Sequence, residues 1–184
     1  MSEVRDEQLD AQREAVRRTA LAQIRQYGDA ALRMRARDVE EFDEDLERLV
    51  GRMKQLMVDA NGIGLAATQL GVLRRVLVFQ EDKEQEPVAL VNPVVVERSN
   101  EASTDDEGCL SLQGVLVPVE RAATIAVQGK DETGADVRLE LEEPGARVVQ
   151  HEVDHLEGVL IVDRTTPEAR REALSVLRPR IALV

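Results

Sequence analysis

The only two histidines of the chain, His151 and His155, stand four residues apart around Glu152. On an α-helix, side chains at positions i and i+4 share one face, so both imidazoles can reach one metal ion. Glu152 projects roughly 100° around the helix axis from His151, since an α-helix has about 3.6 residues per turn. A carboxylate placed there flanks the ion and suits a general base acting on metal-activated water. The spacing therefore predicts metal-assisted hydrolysis.

A catalytic ion of this kind needs a third protein ligand and one open position for water. Cys109 is a candidate, because Gly108 would free the backbone to bring a thiolate close to an ion. A lone cysteine can also be a small buried hydrophobic residue. The 36 carboxylates of the chain are further candidates, so the residues by themselves leave the third ligand open.

The composition limits the classes of function. The 24 basic and 36 acidic side chains give a net charge of −12, which disfavours nonspecific binding to nucleic acid or to anionic membranes. Two Phe, one Tyr and no Trp offer few platforms for base stacking. No apolar stretch approaches the roughly 20 residues of a membrane span, and the N-terminus lacks the apolar core of a secretory signal. One cysteine cannot form an internal disulfide. We therefore expect a cytoplasmic protein with no membrane or specific DNA partner.

The apolar pattern predicts one α+β domain over residues 1–184, a length that suits a single domain. We expect antiparallel and mixed β-sheets packed around a central helix that carries the HExxH motif, with helices at both termini. Residues 1–23 fit an amphipathic N-terminal helix, and a polar arm follows to Asp38. Apolar residues that repeat at intervals of three and four predict a second helix from Phe42 to about Ala60. Runs rich in β-branched residues predict strands at 75–80, 88–96 with Pro93 interrupting, 115–119, 123–128 and 137–141.

The motif helix has sequence signals at both ends. Pro144 and Gly145 are suited to open it, and Gly158 is suited to end it. Thr133 and Gly134 predict a hairpin turn between the strands at 123–128 and 137–141.

The C-terminal part of the chain is predicted to contain a short strand at 159–162 and a final helix that reaches Leu177. Thr166 and Pro167 have the types expected at the N-cap and first position of that helix. The segment 167–184 has four basic and two acidic residues, a local charge of 4 − 2 = +2, from Arg170, Arg171, Arg178, Arg180, Glu168 and Glu172.

Three segments, taken in order and spacing, resemble the three motifs of the bacterial peptide deformylases. They are GIGLAATQ at 62–69, EGCLS at 107–111 and QHEVDH at 150–155. The combination is far more specific than any one motif. The resemblance covers about residues 24–177, and the charged helix before residue 24 looks like an extension beyond the usual family start.

The resemblance implies a metal site and a catalytic set. Cys109, His151 and His155 match the family's metal ligands; Fe²⁺ is the family's physiological ion, and Ni²⁺, Co²⁺ or Zn²⁺ can replace it. Ligand type alone does not choose between iron and zinc. Glu152 matches the general base and acid. The side chain of Gln69 and the backbone N–H of Leu110 match the donors that stabilise the oxyanion.

The same resemblance implies residues around the substrate. Ile63 and Gly64 match the strip beside the substrate backbone. Glu107 and Gln150 match motif residues near the metal, and we assign Glu107 to the substrate-binding set. Val148 lies three residues before His151 on the same helical face, where it can form part of the wall of an apolar methionine pocket.

The implied function is removal of the formyl group from N-formylmethionyl peptides emerging from the ribosome, with release of formate. In this family a C-terminal helix can help docking at the ribosome, so the basic final segment is compatible with a weak ribosome contact. A solvated helix face is the alternative for the same arginines.

Two departures from the family pattern are visible. Gln113 stands where the family usually has proline, and Val119 stands where it has arginine, with Arg121 two residues further on. Asp154 would ordinarily need a cationic partner, for which Arg121 and Arg147 are candidates. A solvated carboxylate is the alternative.

Two other functions remain open. A zinc endopeptidase would have an inert cysteine and a carboxylate or histidine ligand downstream. The chain has no third histidine, and Glu157 and Asp163 follow His155 too closely for the usual spacings. A noncatalytic metal-binding or ribosome-associated module is disfavoured by the intact Glu152 and Gln69.

Overall fold

The computed structural model describes the backbone of residues 2–177 and the side chains of residues 9–177. Helices and strands alternate irregularly along the chain, with most of the strands in its middle. The helices are α1 Ser2–Leu21, α2 Glu44–Asp59, α3 Gly145–Leu156 and α4 Pro167–Leu177. The strands are β1 Gly64–Ala66, β2 Val76–Phe79, β3 Val88–Arg98, β4 Ala102–Glu107, β5 Val117–Ala122, β6 Thr124–Lys130 and β7 Asp136–Glu142.

The architecture is α+β, as predicted, with two antiparallel sheets within residues 2–177. One has five strands in the order β1-β2-β3-β6-β7, and the other consists of β4 and β5. Every strand pair of these sheets is antiparallel. In the described part of the chain the parallel pairing that a mixed sheet would show is limited to one isolated bridge, between Arg37 and Arg74.

Helix α2 forms where the apolar spacing predicts it. Asp43 caps its N-terminus by accepting a hydrogen bond of 2.9 Å from the Leu46 N–H, which satisfies one of the free amide groups of the first turn. Its apolar face packs against β2 and β3 in a cluster whose α2 members are Leu46, Val50, Met53, Leu56 and Met57.

Helix α3 carries the HExxH motif and contacts β1, β2, β5 and β7. Val149 and Leu156, both fully buried, pack in the same cluster as Leu77 and Phe79 of the adjoining sheet. Gly158 follows the helix with φ +75, and a Cβ there would lie 2.7 Å from the Arg33 carbonyl oxygen. The predicted end of the motif helix is therefore confirmed, because only glycine fits this conformation and this close approach.

Some strand predictions differ from the structure. Strand β3 runs through Pro93, and its register against β6 shifts between Val91 and Val94, which accommodates a residue without an amide donor. Strand β4 has the mostly exposed sequence ASTDDE and carries no apolar alternation to predict it. The predicted strand at 159–162 is wrong, because Ile161–Asp163 is a short 3₁₀ helix. There the Asp163 carboxylate accepts the Leu160 N–H at 2.9 Å.

The arm between α1 and α2 is more ordered than its polar sequence predicts. It contains a 3₁₀ helix at Ala30–Arg33, and the Tyr27 N–H donates to the Ser111 carbonyl at 2.8 Å. Tyr27 packs against a cluster that also contacts Cys109. The arm therefore touches the second of the three motifs directly.

Helix α4 begins at Pro167 as predicted, and the Thr166 hydroxyl accepts the Ala169 N–H at 3.2 Å. Arg178 and Arg180 of the basic final segment lie outside the described residues. None of the helices between residues 2 and 177 combines the length and the apolar character needed to cross a bilayer.

Asn92 joins the arm to the sheet and provides a test of this packing. Its side chain accepts the Val39 N–H at 2.8 Å and donates to the Val39 carbonyl at 2.9 Å, and its φ is +52. Asn92→Ala should lower the free energy of unfolding by about 2–4 kcal/mol, through two lost hydrogen bonds and a strained alanine. Asn92→Gly should recover about 1 kcal/mol of this loss, because glycine tolerates positive φ.

Urea unfolding followed by circular dichroism measures both variants. Asn100→Ala is the matched control, since Asn100 is exposed and should change stability by less than about 0.5 kcal/mol. Equal stability of the alanine and glycine variants would contradict the assigned strain.

Candidate metal centre and active site

Cys109, His151 and His155 come together at one point. Their potential ligand atoms all lie within 4.8 Å of one another, and Cys109 Sγ is 3.2 Å from His155 Nε2. The cysteine follows β4, whereas the histidines lie one turn apart on α3. The three predicted ligands are therefore adjacent in space although 42 residues separate Cys109 from His151 in the sequence.

The donor set suits a divalent transition-metal ion. One thiolate and two imidazoles are ligands that both zinc and iron accept. The Nδ1 atom of His151 is 3.0 Å from Glu107 Oε2, which leaves Nε2 of the same ring available to a metal ion. Metal-binding histidines commonly have a carboxylate on their second nitrogen, because it fixes the tautomer and the ring orientation. The residues present fit such an ion.

Glu107 is the centre of a buried ion-pair network. Arg121 donates to both carboxylate oxygens, at 2.9 and 3.0 Å, and Arg147 donates to one at 3.0 Å. Burial by itself would raise the pKa of Glu107, but the hydrogen bonds from His151 and Arg121 lower it to about 2. Glu107 is therefore ionised and engaged by protein side chains on both oxygens.

Arg121 extends this network to Asp154 of α3. Its guanidinium lies 2.5 Å from an Asp154 oxygen, and Arg164 pairs with the same carboxylate at 2.6 Å. The solvated alternative for Asp154 is wrong, since the residue is buried. Of the two partners predicted for Asp154, Arg121 on β5 pairs with it, whereas Arg147 pairs with Glu107. Residues 119 and 121 face the same side of β5, since side chains alternate along a strand.

Glu152 lies beside the ligands in a confined space. Its side chain is almost completely buried, and Oε2 has no hydrogen-bond partner within the described part of the chain. Burial is the main cause that raises its pKa to about 7. A Cβ on Gly64 would lie 2.3 Å from Glu152 Oε1 and 2.8 Å from Val148 Cγ1. Glycine at position 64 is therefore what leaves room for this carboxylate.

Gln69 has a fixed amide orientation. Its Oε1 accepts the Ala66 N–H at 2.8 Å, so Nε2 points the other way, to Ser111 Oγ at 3.1 Å and Cys109 Sγ at 3.7 Å. Leu110 follows Cys109 directly, and its carbonyl accepts from Gln26 Nε2 at 3.2 Å. An amide donor and the backbone of Leu110 thus lie next to the thiol.

These groups line a cleft of about 760 Å³. It brings together all ten of the residues predicted for the site, namely Ile63, Gly64, Gln69, Glu107, Cys109, Leu110, Val148, His151, Glu152 and, through the ligand cluster, His155. Gln150 points elsewhere, since its amide bonds the backbone of Ala122 on β5.

Some residues of the cleft were not predicted from sequence. Arg147 also lines it, and the spacing of four residues before His151 is a signal that could have placed it on the same face. Ser111 of the EGCLS segment does not line the cleft, but it is buried and accepts a hydrogen bond from Gln69. Arg17 and Leu21 of α1 line the cleft as well, and nothing in the pattern of that helix indicates this contact.

Comparisons with known proteins agree with the geometry. Residues 21–171 match the polypeptide deformylase family. The peptide deformylase of Dictyoglomus turgidum is 44% identical over 149 residues, which are 81% of this chain and 95% of the relative. The peptide deformylase of Thermotoga maritima is 44% identical over 147 residues, covering 80% of this chain and 88% of the relative.

Solved structures give the same result. A peptide deformylase from Legionella pneumophila superposes with a TM-score of 0.80 at 37% identity, covering 84% of this chain and 91% of the other. One from Synechococcus elongatus in complex with actinonin has a TM-score of 0.79 at 39% identity, covering 83% and 85%. On the family match, the identity and the shared fold, this chain belongs to the polypeptide deformylase family.

Proposed function

We propose that Cys109, His151 and His155 hold one divalent metal ion, at which this chain removes the formyl group from N-formylmethionyl nascent peptides. Its activity is that of the family, and the product is formate together with a peptide that has a free N-terminal methionine. The convergence of one thiol, two imidazoles and a buried carboxylate in a single cleft carries this assignment.

Fe²⁺ is the ion we propose, with Ni²⁺, Co²⁺ or Zn²⁺ able to replace it. When bound, the ion would polarise the formyl carbonyl and lower the pKa of a water molecule. The choice of iron rests on the family, because thiolate and imidazole donors accept iron and zinc alike.

Glu152 is proposed as the group that moves the proton. Its burial and its pKa of about 7 allow it to accept a proton from the attacking water near neutral pH and to release it again. As the water oxygen bonds to the formyl carbon, Glu152 takes the proton; as the carbon–nitrogen bond breaks, it delivers that proton to the departing amine.

The negative charge that develops on the formyl oxygen needs hydrogen-bond donors. We assign this role to Gln69 Nε2, which is held next to the thiol, and to the Leu110 N–H. Because the Gln69 orientation is fixed by its neighbours before substrate arrives, the donor needs no reorganisation during the reaction.

The substrate is proposed to lie along Ile63 and Gly64, with Val148 in the wall of an apolar pocket for the methionine side chain. Ile63 is half-exposed at the edge of the cleft, whereas Val148 is buried against Gly64. We revise the role of Glu107 from the substrate binding expected from the sequence to the positioning of His151, because the protein's own side chains occupy both of its oxygens.

We propose that residues 1–184 act as one unit in the cytoplasm, where formylated chains leave the ribosome. A weak contact between α4 and the ribosome is part of this proposal, and Arg171 is well exposed on that helix. The zinc endopeptidase is disfavoured because its downstream ligand candidates are already ion-paired: Glu157 with Arg75 at 2.5 Å, and Asp163 with Arg33.

The ligand set is tested by substitution and metal analysis. Anaerobically purified protein should release formate from formyl-Met-Ala. Cys109→Ala should lose both metal and activity, since two imidazoles alone hold the ion poorly. Glu152→Ala should keep the metal and lose about 10²–10⁴-fold in kcat, the usual contribution of a general acid–base. Unchanged metal content in Cys109→Ala would rule out the proposed ligands.

The oxyanion role of Gln69 is tested with Gln69→Glu. This variant keeps an oxygen that can accept the Ala66 N–H but removes the amide donor, so kcat should fall about 10²–10³-fold. Metal content and the circular dichroism spectrum should stay as in the wild type. Gln128→Glu on the exposed surface of β6 is the control. Full activity of Gln69→Glu would exclude the role.

The space made by Gly64 is tested with Gly64→Ala. The added methyl group must displace Glu152 or Val148, so kcat/KM should fall by about 10²-fold, the cost of a misplacement of roughly 1 Å. Gly51→Ala on α2 is the matched control, because a Cβ there meets nothing within 4 Å. Activity of Gly64→Ala equal to that of Gly51→Ala would contradict the steric account.

A further inference from the structure

All of helix α1 except its last residue, Leu21, precedes the family match, which begins at residue 21, yet the helix reaches the catalytic cleft. Arg17 and Leu21 at its C-terminal end line the same cavity as Gln69, Cys109 and Glu152. Arg17, which the family match does not include, therefore contributes to the wall of the active site.

A second cavity continues from the cleft along α1. It measures about 710 Å³, lies between α1 and the C-terminal end of α2, and shares Arg17 and Asn61 with the catalytic cleft. We call it the α1 groove. Because the two cavities share wall residues, a chain that leaves the catalytic cleft past Arg17 enters this groove.

The walls of the α1 groove combine apolar side chains with charged side chains of both signs, namely Arg13, Arg17, Asp10, Glu14 and Asp59. Leu9, Val16 and Arg17 lie on one helical face, at spacings of seven and eight residues. Leu9 is 46% exposed and Val16 is 43% exposed, and Val58 on the α2 side is 48% exposed. Covering these half-exposed apolar side chains with a bound peptide would remove apolar surface from water and so stabilise the complex.

Arg17 is available to a ligand at the junction of the two cavities. Its intramolecular partner is Glu14, at 3.4 Å on the exposed surface of α1, and surface pairs of this kind contribute little. Lys83 also lines the catalytic cleft and donates to Oδ1 of Asn61, the other residue that the two cavities share, at 2.6 Å. Two cationic groups thus flank the exit of an otherwise acidic protein.

The groove has the length of a short peptide segment. Leu9 and Arg17 are eight residues apart, which is about 12 Å along an α-helix. An extended chain advances about 3.3 Å per residue, so roughly three to four residues fit beside this part of α1.

We propose that the α1 groove binds the segment of the nascent peptide that extends beyond the catalytic cleft, with Arg17 as a specificity-determining residue. The guanidinium donates to backbone carbonyls or acidic side chains of that segment, and Leu9, Val16 and Val58 cover its apolar side chains. This inference rests on the proposed function, because it takes the formylated peptide as the occupant. Continuity with the catalytic cleft favours this occupant over a second copy of the chain.

The test compares a short and a long substrate on the holoenzyme. The wild type should have a KM for a formyl-methionyl octapeptide with an acidic residue at position 5 that is several-fold lower than its KM for formyl-Met-Ala. Arg17→Ala should raise the octapeptide KM about three- to tenfold, the effect of one lost hydrogen bond, and should raise the dipeptide KM much less. Octapeptide kcat should change less than KM, since Arg17 lies outside the reacting groups.

Arg18→Ala is the matched control, because Arg18 is the exposed neighbour of Arg17 on the same helix and lines neither cavity among the described residues. Val16→Ser should raise the octapeptide KM in the same direction as Arg17→Ala, while the circular dichroism spectrum stays unchanged. This second variant tests the apolar wall independently.

The outcomes separate the two proposals. Equal KM values for both substrates in the wild type would overturn the α1 groove while leaving deformylation intact. An equal octapeptide KM for Arg17→Ala and Arg18→Ala would likewise overturn the α1 groove as a peptide-binding site. The peptide assignment would also be overturned if the wild type dimerised in a concentration-dependent manner and Val16→Ser abolished the dimer. The occupant of the α1 groove would then be a second copy of the chain. Failure to release formate from formyl-Met-Ala would instead overturn the proposed function.

Discussion

The site depends on a single buried carboxylate, that of Glu107. It ends β4, receives Arg121 from β5, and receives His151 and Arg147 from α3. Taking such charges out of water costs several kcal/mol per ion, and only dense pairing and hydrogen bonding offset that cost. Here Glu107, Arg121, Arg147 and Asp154 each have two or more partners, so the two-stranded sheet and the motif helix have one strongly preferred relative placement. Cys109 lies two residues after Glu107, and its position follows from the same anchor.

The parts of the fold with strong periodicity could be predicted from the sequence. The apolar spacing of α2 gives its bounds to within a few residues, because the stripe from Leu46 to Met57 faces a sheet and must be buried. Gly158 predicts the end of α3, since a positive φ favours glycine. The convergence of His151 and His155 could also be predicted, because two histidines one turn apart on a helix can meet at one ion. Cys109 could be predicted as a third ligand only through the resemblance, because a lone cysteine in a sequence does not show whether it is a buried apolar residue or a metal ligand.

Other features depend on tertiary contacts that no local pattern carries. Strand β4 is polar on both faces, and pairing with β5, not an apolar face, defines it. The 3₁₀ helix at Ile161–Asp163 follows from side-chain contacts of Asp163 with Leu160 and Arg33. Arg121 looked displaced from the family position by two residues, but two residues along a strand preserve the direction of a side chain. The displacement therefore keeps its guanidinium on the side that faces α3.

The arm that precedes α2 has a consequence for how this protein can be observed. Tyr27 is the single tyrosine of a chain without tryptophan, and it packs in the cluster that contacts Cys109 while its N–H bonds Ser111. Tyrosine fluorescence of the folded chain consequently comes from one known place beside the EGCLS segment. The protein carries its own optical reporter of the local environment at the cysteine-bearing motif, with no dye and no added tryptophan.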